Sequence, residues 1–517
     1  MAFGYRRVDR DQLFLLPPDV REWLPEDHLV WLIVDVVERI DTSRLHERHP
    51  NDGVGRRAYD PDMLLALLLY AYCTGQRSSR KIERLCEVDV AYRVICANDA
   101  PDHTTIARFR QVHQEHAEAL FVEVLLLCKQ AGLTTVGVVA VDGTKIAADA
   151  SIKASRSEEH INAEVAAMMA EANAVDTAED AEFGDRRGDE LPKDLATRQD
   201  RRRRLDAALE QLKAKRKRRE ANDSMRRAVI RRAVRDGHGF PPPSKDDDPV
   251  AHAEARVEYY RRRAAKRRAE AEARARARGR RPSGFAPRGD DHEVKRALRR
   301  LDKIRAEQAA KASSETATSD KVDRANTTDP DSRVMPTAKG GWVQGYNAQA
   351  AVNQHGVVLA ATVTNIGSDS TQCRPMMKMT RTNLNKIGER RRIGMMLFDA
   401  GYWSDKNATT RGPRRLIATT KSYKLRQQLK ERGATSGPPP PDATPAEAME
   451  HRLRTPEGTA LYKQRQHTVE PVFGDIKHNR QIQRFMHRGL VAVTAEWRLI
   501  ATTHNLLKLS TVGLPPT

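Results

Sequence analysis

Cysteine is scarce and scattered: Cys73, Cys86, Cys96, Cys128 and Cys373 are the five in 517 residues, an odd count without one C-x-x-C pair. That excludes a disulfide framework and a zinc module and fits a reducing compartment. Cys73, Cys86, Cys96 and Cys128 fall in apolar helical stretches and are expected to be buried structural thiols. Long apolar runs are also lacking. The longest, Met63 to Cys73, is too short to span a bilayer. The opening residues 1–7 carry charge with no apolar segment behind it, so no signal peptide is expected. No repeat of solenoid period is evident. The expectation is a cytoplasmic, nucleoid-associated protein with no membrane partner.

What the chain has in excess is positive charge. Its formal net charge is +20, with charged residues at 31% and apolar residues at 39%. A core is affordable, and a polyanionic partner, most simply double-stranded DNA, is expected. The length allows two to four domains.

Residues 1–132 read as an N-terminal all-α domain. One helix follows Pro25-Glu-Asp27 and carries Trp31, Ile33, Val34 and Val37. A second opens at Asp60-Pro61, an N-cap and first-turn pair, and stops at Gly75. Ser78 or Ser79 caps a third, with Ile82 and Leu85, and Asp102-His-Thr-Thr105 begins a long one reaching Gly132. Short helices with Arg77, Arg80, Lys81, Arg84, Arg108 and Arg110 exposed resemble a helix-turn-helix, which makes this the expected DNA-binding domain.

Residues 153–325 differ in kind. Arg201–Arg204, Lys213–Arg219, Arg261–Arg263, Lys266–Arg268 and Arg274–Arg281 lie in helix-forming sequence with a thin apolar stripe: Leu205, Leu209 and Leu212, then Val294, Leu298, Leu301 and Ile304. Pro241–Pro243 with Asp246–Asp248, and Gly279–Gly289, break the run. An elongated, partly disordered basic helical insertion is expected, touching phosphate backbone.

On either side of it lie two matching signals. Val136–Val141 is an apolar run closed by Asp142; Ile393–Phe398 is another, closed by Asp399. Each reads as a buried strand with a carboxylate at its exit. Trp342–Val352 and Val357–Thr364, flanking Asn353–Gly356, read as a β-hairpin. A helix is expected after Asp369, a loop at Pro438–Pro441, and C-terminal helices opening at Glu470, with Thr468 and Pro471 as start signals. Lys477 follows Glu470 by two turns, and Tyr462 and Arg465 precede it. The order fits an α/β sheet interrupted by the insertion, its first part at 133–152 and its remainder at 326–517. Two strand-end aspartates and a helix-borne glutamate suit a pair of Mg²⁺ ions and attack on a phosphodiester. Asp331, Asp369, Asp405 and Asp475 are expected to cap helices or face solvent.

The segments Val141-Asp-Gly-Thr-Lys145, Gly345-Tyr-Asn-Ala-Gln-Ala350, Phe398-Asp-Ala-Gly-Tyr402 and Val469-Glu-Pro-Val-Phe-Gly474 resemble those of bacterial insertion-sequence transposases of the DDE class. Asp102–Arg110 and Asp329–Arg333 are similar to further segments of that group. The resemblance covers most of the chain and is weakest over 200–320. It implies a ribonuclease-H-like core with the catalytic and metal-binding triad Asp142, Asp399 and Glu470, two Mg²⁺ ions (Mn²⁺ substituting), and DNA-phosphate contacts from Tyr462, Arg465 and Lys477. One departure stands out: four residues, not three, separate Arg465 from Glu470, which turns Arg465 by about 100° on a continuous helix. The resemblance further implies binding of terminal inverted repeats, strand cleavage and strand transfer by a homodimer or larger assembly on element ends and target. The alternatives are an inactive transposase-derived DNA-binding protein and a nuclease without strand transfer.

Overall fold

The computed structural model describes residues 19–47, 58–167, 193–237, 239–244, 247–278, 291–314, 323–337, 340–420, 427 and 430–514. The opening residues 1–7, Asp246 and the Gly279–Gly289 break lie outside them. The chain forms two compact units, Met1–Ala154 with Thr328–Thr517, and Ser155–Thr327. The N-terminal helices therefore belong to the same unit as the sheet.

That unit opens with α1 (Leu29–Arg39), α2 (Pro61–Cys73), α3 (Ser79–Val88), α4 (Val90–Ile95), α5 (His103–Val112) and α6 (Ala117–Gln130). Asp60 caps α2 by accepting the Asp62 N–H, with Pro61 in the first turn, as its sequence signals. Asp102 caps α5 through Thr104 and Thr105. The expected single helix from 102 to 132 is instead two, because a 3₁₀ turn at Gln114–His116 separates α5 from α6. After α2 the chain reverses through Gly75 at φ +79°, where an added Cβ would lie 2.6 Å from the Arg480 carbonyl oxygen. Gly75→Ala is expected to lose roughly 1–3 kcal/mol from backbone conformation alone, with the clash adding to it. Thermal melting beside Gly437→Ala, at φ +70° with open space around it, separates the two effects.

Strand β1 (Val138–Ala147) follows, and the chain then enters the second unit. There β2 (Ser155–Ser157) pairs with β3 (Arg324–Asn326), and three long helices run between them: α7 (Lys193–Asp236), α8 (Pro249–Ala277) and α9 (His292–Ser314). Two small clusters hold this unit: Ile161, Leu205, Ala208, Leu212 and Ala325; and Ala253, Val257, Ala297 and Leu301. Much of its arginine is answered by acid, as in Arg216–Glu158, Arg226–Asp247, Arg267–Asp291 and Arg305–Glu254. The exposed pairs among them add little stability individually. The outer face of α9 exposes Lys295, Arg296, Arg299 and Arg300.

Returning to the first unit, the chain forms β4 (Arg333–Pro336), β5 (Trp342–Asn353), β6 (Val358–Thr364), α10 (Cys373–Lys386), β7 (Met395–Phe398), β8 (Arg415–Ile417), α11 (Pro445–Arg454), α12 (Pro456–Gly474) and α13 (Leu490–Ser510). The expected hairpin is present as β5–β6, with a register shift at Ala351/Val352. Strands β5 and β7 flank β1, the first antiparallel and the second parallel; β8 continues parallel beyond β7, while β4 and β6 both pair with β5. The result is a mixed α/β fold. Both apolar runs that end in aspartate are buried strands, with Val139, Ala140, Val141, Met396, Leu397 and Phe398 inaccessible. All five cysteines are free and buried. Among the described residues no helix is long and apolar enough to cross a membrane.

Candidate active site

Parallel pairing brings Val141 opposite Phe398, so Asp142 and Asp399 emerge side by side where β7 ends and β1 runs on. Asp142 accepts the Gly143 N–H at 2.8 Å and an Arg465 N–H at 2.8 Å. Burial pushes its carboxyl up to about 7; Arg465 opposes the shift, while Asp399 and Asp369 add to it. Asp399 accepts the Gly401 N–H, and burial raises its pKa as well, against Arg465 and with Asp369.

Helix α12 lies over these strands. Thr455 caps it, Pro456 occupies its first turn, and it runs through Pro471 to Gly474 before a π turn at Asp475–Asn479. The expectation that Glu470 opens a helix is thus corrected: Glu470 sits in the last part of α12, and Thr468 turns its hydroxyl back to the Gln464 carbonyl. The Tyr462 hydroxyl donates to the Phe398 carbonyl at 3.2 Å, and burial pushes its pKa up to about 12. Lys477 donates to the Lys145 carbonyl at 2.9 Å, and burial lowers its pKa. The buried Nε of Arg465 has no hydrogen-bond partner among the described residues.

The five-residue offset places Arg465 and Glu470 about 140° apart around the helix. Accordingly Arg465 meets Asp142, and Glu470 is exposed. Among the described residues, the trio whose potential ligand atoms all fall within 4.8 Å is His46, Asp60 and Asp62; the Asp142–Asp399–Glu470 set is wider.

Asp369 was expected to cap a helix or face solvent. It does neither: it makes no side-chain cap, and it accepts N–H groups from Asn347 (2.6 Å) and Gln349 (2.8 Å) and faces the Lys145 ammonium at 3.4 Å. Its one sequence signal was its place beside a helix start, which a cap explains equally well. Asp331 does cap a helix, through the Leu490 N–H, while Asp475 pairs with His504 and Arg480.

The chemistry of the donor set fits a hard divalent cation: all carboxylate oxygens, those of Asp142 and Asp399 desolvated. The space beside Asp399 is also kept open. A Cβ on Gly401 would sit 3.1 and 3.5 Å from the two Asp399 oxygens and 3.2 Å from Asp369 Oδ2.

Of the cationic residues expected at DNA, Arg80, Lys81, Arg84 and Arg108 are exposed on α3 and α5. Arg77 and Arg110 correct the expectation of exposure. Arg77 binds the buried Glu496 and the Arg484 carbonyl, and Arg110 binds the Arg77 carbonyl and the Tyr72 hydroxyl. Both are spent inside the fold.

Comparison with known families bears on both ends of this unit. Residues 18–112 match the family described as "Transposase domain (DUF772)", and residues 440–510 match the "Transposase DDE domain". Tyr462, Arg465, Glu470 and Lys477 fall inside the second match; Asp142 and Asp399 lie outside both. No curated protein and no solved structure matches the chain. A mixed sheet with paired strand-end aspartates, joined to transposase domains, defines a protein of the transposition class. The two family matches support an insertion-sequence transposase of the DDE class.

Proposed function

We propose that this transposase binds the terminal inverted repeats of its element and performs metal-dependent strand cleavage and strand transfer from a ribonuclease-H-like core. The observation that supports this most is the pair Asp142 and Asp399, held side by side on adjacent parallel strands and short of solvent. Asp142, Asp399 and Glu470 would hold two Mg²⁺ ions, with Mn²⁺ able to substitute. When bound, the metals supply an activated attacking oxygen and stabilise the leaving one.

The protein's own groups do the rest. Gly143 N–H and Gly401 N–H fix the two aspartates. Arg465, anchored on Asp142 by one nitrogen, would offer a remaining guanidinium N–H to a phosphate oxygen of the cut strand. Tyr462 and Lys477 flank the same strand ends, one bound to the Phe398 carbonyl and the other to that of Lys145. Arg80, Lys81, Arg84 and Arg108 offer an exposed cationic face for duplex backbone. A homodimer or larger assembly would bring two element ends together.

The test uses the purified full chain with its own element ends, with and without Mg²⁺ or Mn²⁺, resolved on a denaturing gel. Asp399→Asn is expected to remove metal-dependent cleavage to the limit of detection while end binding persists. Undiminished cleavage by this variant would overturn the assignment. Nicked products that are never joined would restrict the activity to hydrolysis.

A further inference from the structure

Asp369 is placed unlike a structural acid. Its Oδ1 takes the Asn347 and Gln349 amides and faces Lys145, so one oxygen absorbs every polar contact described for the carboxylate. Its Oδ2 is turned to the other side, into the space above Gly401 that both Asp399 oxygens also border. Gly143 guards the opposite edge: a Cβ there would lie 2.1 Å from Gln349 Nε2, 2.6 Å from Asp369 Oδ1 and 2.8 Å from Asn347 Oδ1. Gly143 thus leaves no room for a side chain on one flank and Gly401 only a tight fit on the other, while β5 supplies the two amides that aim the carboxylate. Gln349 is itself fixed, by the Tyr402 hydroxyl on its side chain and by the Trp497 indole on its carbonyl. Asp369 and Asp399 are like charges bordering one space; Lys145 faces the Oδ1 side of Asp369, and a divalent cation on the Oδ2 side would offset their repulsion.

We propose that Asp369 is a fourth carboxylate of the metal site, offering Oδ2 to a divalent cation on the Gly401 side of Asp399. This rests on the reading of Asp142 and Asp399 as metal-binding acids. The amides and Lys145 act as positioning groups, holding Oδ1 so that Oδ2 keeps its direction.

Mn²⁺ titration of the full chain without DNA, read by the electron paramagnetic resonance of free Mn²⁺, tests the proposal directly. Asp369→Asn retains an oxygen for the amides and is expected to weaken Mn²⁺ binding about tenfold or more. Gly401→Ala keeps every acid and places a methyl in the shared space; it is expected to weaken binding as well. Melting temperatures without metal report folding, and if Asp369→Asn fails to fold, Gly401→Ala decides. Asp399→Asn is the reference. If it binds Mn²⁺ less well while a folded Asp369→Asn binds normally, Asp369 is structural and the proposal falls. The proposal also falls if Gly401→Ala, where it decides, binds normally. If Asp399→Asn itself binds as wild type, the underlying reading of the site is wrong.

Discussion

Glu496→Ala is expected to destabilise the protein by about 3–5 kcal/mol, since it strands a buried cation. Glu496, near the start of α13, has no exposed side-chain surface and pairs with Arg77 at 2.9 Å, whose own side chain is 10% exposed. Its two oxygens also accept the Met486 and His487 N–H groups at 3.0–3.1 Å. Burial raises the Glu496 pKa even with Arg77 beside it, the mark of a charge kept by its partners rather than by water. Alanine would leave the Arg77 guanidinium with the Arg484 carbonyl alone and would remove the acceptor of the Met486 and His487 N–H groups. Urea denaturation gives the cost. Glu496→Gln, which can still accept from the amides, is expected to lose less. Arg77→Met combined with Glu496→Ala is expected to lose less than the two single changes added together. Additive losses, each under about 1 kcal/mol, would show that the pair does not tie the N-terminal helices to α13.

The same pair shows where the sequence stops being legible. Strands β1 and β7 announce themselves because their apolar runs stop abruptly at aspartate, and the hairpin does so through Asn353–Gly356. Asp60-Pro61 specifies a helix start with residues that touch each other. Each of these signals is local. Arg77 is not, because its acid lies 419 residues away; a cation in a polar turn looks solvent-facing until that partner arrives. Glu470 was misplaced within its helix for a related reason. Thr468 and Pro471 imitate the start signal that Thr455 and Pro456 carry in fact. The competing choice was decided by packing, since Val469 and Val472 are buried and hold this stretch helical through the proline. Asp369 was hidden because its loop context suits a cap, and only the return of β5 beside β1 puts Asn347 and Gln349 against it.

Cleavage at limiting metal is expected to rise about tenfold per pH unit up to about 7 and then level off, because a proton on Asp142 competes with the cation. Asp142 is pushed to about 7 chiefly by burial, then by Asp399 and Asp369 against the pull of Arg465. Below that pH the carboxyl is neutral and must lose its proton before it can serve a metal; above it the site is already charged. The stability linkage runs in the opposite sense. A folded-state pKa raised above the ordinary 3.8 means that this group's favourable contribution is complete below about 3.8 and lost as pH rises through about 7. Divalent metal would recover this loss by binding the charged form. Two measurements check this together: cleavage rate against pH at subsaturating Mn²⁺, and the melting temperature against pH with and without Mn²⁺. The metal-induced rise in melting temperature should be small near pH 5 and large near pH 8. Saturating metal should shift the midpoint of the cleavage profile to lower pH, as competition requires. A flat profile over that range, with equal stabilisation at both ends, would mean that Asp142 is ionised throughout and that Arg465, not burial, governs it.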